Sequence, residues 1–164
     1  MPPEKVTPKS RATINHTSDY AMHHFTMTIM NQDGRPARII SGRDMMHYPD
    51  HDRTEIMTPH ATFIQQGKTN WVVTANKADT QGNSHIILLT GQVVVTQENR
   101  SDIQLKTQQL TIDTIHNTAY TDLPVTLISP NGITHAVGLH AALNDRTINL
   151  HSKVKGRYDA PPVD

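Results

Sequence analysis

The feature that most constrains this chain is an alternation of apolar and polar residues along most of its length. Phe25, Met27 and Ile29 open the pattern, and Trp71, Val73 and Ala75 continue it. Ile103, Leu105 and Thr107, then Val125 and Leu127, then Val137, Leu139 and Ala141, then Ile148 and Leu150 carry it onward. Successive side chains on a strand point to opposite faces, so a period of two marks half-buried strands. No window shows an apolar stripe at helical spacing. Threonine, which suits a pleated surface, occurs 21 times and mostly inside these runs. Turn residues separate the runs at Asp33-Gly34, Gly67, Gly82-Asn83, Asn99, His116-Asn117, Asn131-Gly132 and Asn144-Asp145.

The runs also repeat. NWVVTANKADTQGNSHIILLTGQVVVTQ, DIQLKTQQLTIDTIHNTAYTDLPVTLIS and GITHAVGLHAALNDRTINLHSKVKGRY share one plan. Each reads as a strand, a short strand, a turn, a third strand and a last strand with a central valine. Those valines are Val93, Val125 and Val154, separated by 32 and 29 positions. A weaker copy runs from Ala37 to Ile64. One unit of about 30 residues, stacked roughly four times, cannot close a core alone and needs its neighbours. Stacking leaves an open sheet edge at each end.

Residues 1–18 are polar and contain Pro2, Pro3 and Pro8, so they read as a flexible tether. Residues 19–159 form the body and 160–164 a short tail. Lys and Arg total 15 and Asp and Glu total 15, which leaves no basic stripe for nucleic acid or for an anionic membrane surface. No apolar run approaches the ~20 residues of a membrane span. The first residues lack the apolar stretch of a signal peptide.

Catalytic signatures are missing. There is no cysteine, no G-x-S-x-G, no P-loop and no G-x-G-x-x-G. The 11 histidines are scattered: His47 and His51 flank Pro49, and His135 and His140 lack H-x-H spacing. No metal and no cofactor are therefore expected. Asp50, Asp52 and Glu55 read as a solvated turn between two strands rather than a carboxylate pair.

Four stretches carry a family resemblance: FTMTIMNQDGRPARIISGRDMMHYPDHDRTEIMTP, NWVVTANKADTQGNSHIILLTGQVVV, LTIDTIHNTAYTDLPVTL and GLHAALNDRTINLHSKVKGRYD. Their order, and the closing S-K-V-K-G-R-Y, resemble the LptC family over about residues 20–159. The resemblance implies an all-β fold, an open twisted antiparallel β-jellyroll. It implies lipopolysaccharide transport from the inner to the outer membrane, on the periplasmic side of the inner membrane. Such a protein receives lipid from the jellyroll of an ABC transporter permease and passes it to the bridge protein LptA. The family's N-terminal membrane helix is absent from this chain.

An interior of small aliphatic residues with few aromatics can leave a slot for acyl chains. Phe25, Met27, Trp71, Val73, Leu88 and Val95 are its expected lining in the first half of the chain. Leu105, Ile112, Leu127, Leu139 and Leu150 are its lining in the second. Phe25, Met27 and Ile29 also form the edge expected to meet the transporter. Ser152, Val154, Gly156 and Tyr158 form the edge expected to meet LptA, with Lys153, Lys155 and Arg157 guarding it. Gly138 matches the family's closing glycine and reads locally as a bulge or close backbone approach. Two alternatives stay open: an edge-to-edge adaptor module that carries no lipid, and an LptA-like bridge protein.

Overall fold

The computed structural model describes residues 17–158 except Ser84 and Arg146. Nearly all of the expected tether and the whole tail lie outside the described residues. Eleven strands follow one another: β1 (Tyr20–Met30), β2 (Pro36–Tyr48), β3 (Arg53–Met57), β4 (His60–Phe63), β5 (Trp71–Thr74) and β6 (Lys77–Gln81). The longer ones come next: β7 (Ile86–Gln97), β8 (Arg100–Asp113), β9 (Thr118–Ser129), β10 (Gly132–Ala142) and β11 (Thr147–Tyr158). A single 3-10 turn, Asp50–Asp52, joins β2 to β3. Every turn signal of the sequence falls between strands or at the first residue of one.

All pairings are antiparallel, and the long strands change partner or shift register part-way along. β2 pairs with β4 through residues 38–41 and with β3 through 44–48. β7 likewise pairs with β6 and then β5. β3 with β4, and β5 with β6, thus behave as single strands broken at a corner. The breaks are tied together where Thr58 N donates to Asn76 O at 2.8 Å.

The corner has a backbone signature. His24, Thr58, Gln92 and Lys153 adopt positive φ there, as do Gly91 and Gly138. Register shifts fall between Thr90 and Val93, Thr107 and Thr111, and Val137 and Leu139. An extra residue in one strand bends it and sharpens its twist, which is how a sheet folds over on itself. Two leaves result. One holds residues 25–30, 36–41, β4, β5, 93–97, 100–107, 124–129, 132–137 and 154–158. The other holds β3, β6 and the remaining halves of the long strands. Their facing surfaces form one core from Phe25 to Ala141.

The repeat is real, but its internal plan differs from the reading of four short strands per unit. In the last two copies the first and second segments fuse into one bent strand, β8 or β10, and the rest into β9 or β11. Val93 and Val125 sit buried just past the corner, whereas Val154 is 54% exposed because no further strand covers β11. The bulge at Gly138 also overturns one alternation: Ala136, not Val137, is buried alongside Leu139 and Ala141. Glu55 lies on β3 instead of in a turn, 3.4 Å from Lys77 and 3.3 Å from Arg53.

Candidate functional site

The two leaves enclose a narrow apolar slot. Its main chamber, of about 70 Å³, is lined by Trp71, Val73, Val95 and Leu105 from one leaf and by Leu110, Ile112 and Ala119 from the other. A second chamber of about 40 Å³ shares Val73 and Ile112 with the first and reaches Ile40, Phe63 and Leu89. By that measure the slot has room for a few waters at most. A long chain could enter only if the leaves part.

Most residues expected inside are inside. Trp71, Val73, Val95, Leu105, Ile112 and Leu127 line the main chamber. Phe25 and Leu139 are buried in the core, and Met27 and Leu150 pack against it from the outer strands. Leu88 is the exception. It stands half-buried outside the core, while its neighbour Leu89 is buried and lines the second chamber. Four consecutive aliphatics, Ile86 to Leu89, do not reveal which alternate pair faces inward. Leu110 was missed although it is fully buried in the main chamber. Its signal was the pair Leu110 and Ile112, whose even numbering departs from the odd numbering of Ile103 and Leu105 on the same strand.

The slot runs between two free edges. β1 pairs with β2 and β11 with β10, and neither has a second partner among the described residues. Along β11, Val154 and Tyr158 are exposed, the latter to 71%. Ser152 differs from its companions, because its hydroxyl donates to Val137 O at 3.2 Å within the sheet. At the β1 edge, Phe25, Met27 and Ile29 turn toward the core, so partners at that edge would meet backbone.

The long side of the slot, away from the corner, is bounded by turns of both leaves. Two hydrogen bonds cross it. Gln65 Nε2 donates to Leu143 O at 3.2 Å, and Lys68 Nζ donates to Asn144 O at 2.8 Å. They tie the β4–β5 turn to the β10–β11 turn.

Three histidines, His23, His47 and His116, pair with carboxylates. His23 Nδ1 lies 2.6 Å from Asp44, and His116 Nδ1 lies 2.7 Å from Asp113. His47 contacts two, Asp19 at 2.7 Å and Asp52 at 2.5 Å, with Tyr20 stacked on its ring. The hydrogen bond to Asp52, then that to Asp19, raises the His47 pKa above its ordinary value. Among the described residues no group of three or more His, Cys, Asp or Glu side chains is arranged to hold a metal ion. No helix among them is long and apolar enough to cross a membrane.

A family model for LptC-related lipopolysaccharide-assembly proteins matches residues 2–159. The chain belongs to that family. Membership in the LptC-related family carries a role in lipopolysaccharide transport, and the open all-β sheet described above agrees with its jellyroll. A search among individually curated proteins gives no match.

Proposed function

We propose that this LptC-related chain carries lipopolysaccharide by its acyl chains through the slot between the leaves. The lipid would arrive at the β1 edge from the jellyroll of an ABC transporter permease. It would leave at the β11 edge to LptA. The setting is the periplasmic side of the inner membrane, and the role is that of a carrier, without turnover. One observation carries the reading: an apolar slot, lined from both leaves, runs between two sheet edges that have no further partner strand among the described residues.

Strand addition at such an edge supplies main-chain hydrogen bonds and prolongs the slot into the next protein. Burial of a methylene stabilises by ~0.8 kcal/mol, so a dozen give about 10 kcal/mol gross before ordering costs. Parting the leaves opposes that gain, which favours release as well as grip.

The test is a photo-crosslinker placed at Leu105 or at Lys106, adjacent positions on β8 of which the first is buried and the second exposed. Leu105 should label lipopolysaccharide strongly and Lys106 weakly. Equal labelling would remove the slot from the mechanism.

A further inference from the structure

The inward-facing row of β1, β2 and β4 contains one residue that does not belong in an apolar interior. Arg38 pairs across the sheet with Ile29 on one side and Phe63 on the other. The next pairs in the same row are Ile40 with Met27 and with Ala61, all part of the core or packed on it. Side chains directly opposite on neighbouring strands share a face. Arg38 therefore points to the side on which those residues pack.

It opens into a pocket of about 570 Å³ at the long side of the slot. Lys68 and His85 line the same pocket, and among the described residues no aspartate or glutamate does. Arg38 has no ion-pair or hydrogen-bond partner among the described residues, and its Nε is buried. Gln65 Oε1, in the same wall, is also buried without a partner. Burial without a counter-charge pushes the Arg38 guanidinium below its ordinary pKa. Arg38 is half-buried, and a guanidinium whose Nε is shut away from water without an acceptor calls for a partner. The pocket shares Leu143 with the main apolar chamber and Phe63 with the second. It thus joins a cationic mouth to an apolar interior.

We propose that Arg38 and Lys68 form a subsite for the anionic phosphate of a lipid headgroup, placed so that the acyl chains of the same molecule enter the slot behind it. Guanidinium is suited to such oxyanions because its planar fork offers paired donors. Lys68 donates to Asn144 O in this structure. A phosphate at Arg38 would draw Lys68 off that carbonyl and release one of the two ties across the long side. Headgroup binding and opening of the slot would then be one event. The subsite rests on the reading of the slot as a lipid carrier.

The experiment compares diphosphoryl lipid A, the same lipid with its phosphates removed, and inorganic phosphate, using the full chain and its Arg38→Gln, Arg38→Lys and Lys68→Gln variants. Lipid is read by photo-labelling at Leu105, and folding by far-UV circular dichroism. The wild type should prefer the phosphorylated lipid by about tenfold, the size of one charge-assisted hydrogen bond. Arg38→Gln and Lys68→Gln should each reduce that preference, and Arg38→Lys should keep more of it than Arg38→Gln. Lys68 lies in an exposed turn, so its variant tests the site even if Arg38→Gln fails to fold. A wild type without preference, or a preference unchanged in the variants, would overturn the subsite while leaving the slot standing. Labelling by neither lipid would overturn the slot reading and the subsite together. Inorganic phosphate competing at the concentration of the lipid would show a free-anion site, overturning the headgroup assignment.

Discussion

A Cβ built on Gly138 would stand 2.7 Å from Nδ1 of His151 and 3.1 Å from its Cβ, on the neighbouring strand. Gly138 also holds φ at +84°, where a side chain is strained whatever the space. The two demands coincide because this is where β10 turns the corner and β11 crosses it.

Replacing Gly138 with alanine should therefore destabilise the fold by about 2 kcal/mol, combining backbone strain with a displaced neighbour. The loss should be concentrated in β11, whose one partner among the described residues is β10. Amide exchange should accelerate over residues 147–158 more than over β7 and β8. A uniform acceleration would show that the corner at Gly138 supports the whole sheet.

Leu110 and Leu88 make a paired test of which aliphatics line the slot. Leu110 is fully buried in the main chamber, and its truncation to alanine should cost about 3 kcal/mol. Leu88→Ala should cost under about 1 kcal/mol, in keeping with a half-buried position outside the core. Urea midpoints at unchanged slope measure both. Comparable losses would place Leu88 back in the interior.

That pair also shows how far the sequence could be read. The fold class was legible because a period of two is a local property, present wherever a strand is half buried. The repeat was legible for the same reason. The corner was not, because a bulge changes parity without announcing it. Ile103 and Leu105 face in with odd numbers, Leu110 and Ile112 with even ones, and Gln108 and Gln109 between them look like any exposed pair. Gly138 reads from the sequence as a bulge or a close backbone approach, but its consequence for Val137 needs the register. Arg38 is not legible in the same way, because a lone arginine beside Ile39 and Ile40 looks outward-facing until β1 and β4 pair around it.

His47 gives the N-terminal edge a pH dependence whose sign follows from its partners. Its hydrogen bonds to Asp52 and Asp19 raise its pKa above the ordinary value of 6.5. A raised folded-state value means that the stabilisation is complete below pH 6.5 and is lost as pH rises through the raised value. Asp19 has its pKa lowered, chiefly by the same hydrogen bond, so its contribution is present above its ordinary 3.8 and fades as pH falls through the lowered value. The clamp should be fully formed between about pH 4 and pH 6.5. Asp19 N also donates to His47 O at 3.0 Å, so the start of β1 should report the change. Amide protection of residues 20–23, corrected for intrinsic exchange, should fall on moving from pH 6 to pH 9. His47→Asn should flatten that profile, and an unaltered profile would assign it elsewhere.

The β11 edge yields the most direct test of directional transfer. Residues 152–158 are exposed along their length, and the strand has one neighbour among the described residues. The main chamber draws on Thr147 and Ile148 from the start of β11 but on nothing beyond. Deleting residues 152–164 should therefore spare the far-UV signal and lipid labelling at Leu105. It removes the stretch that would pair with an incoming strand, together with Val154 and Tyr158, whose exposed apolar surfaces sit beside that strand's path. Binding to LptA, measured by pull-down and by titration calorimetry, should fall by more than about a hundredfold, since strand addition places most of its affinity in main-chain bonds along one edge. The shorter edge left at residues 147–151 cannot replace them, because it lies before the corner and belongs to the other leaf. Retained binding at near-native affinity would mean that LptA docks elsewhere, and the head-to-tail slot would be wrong for this protein.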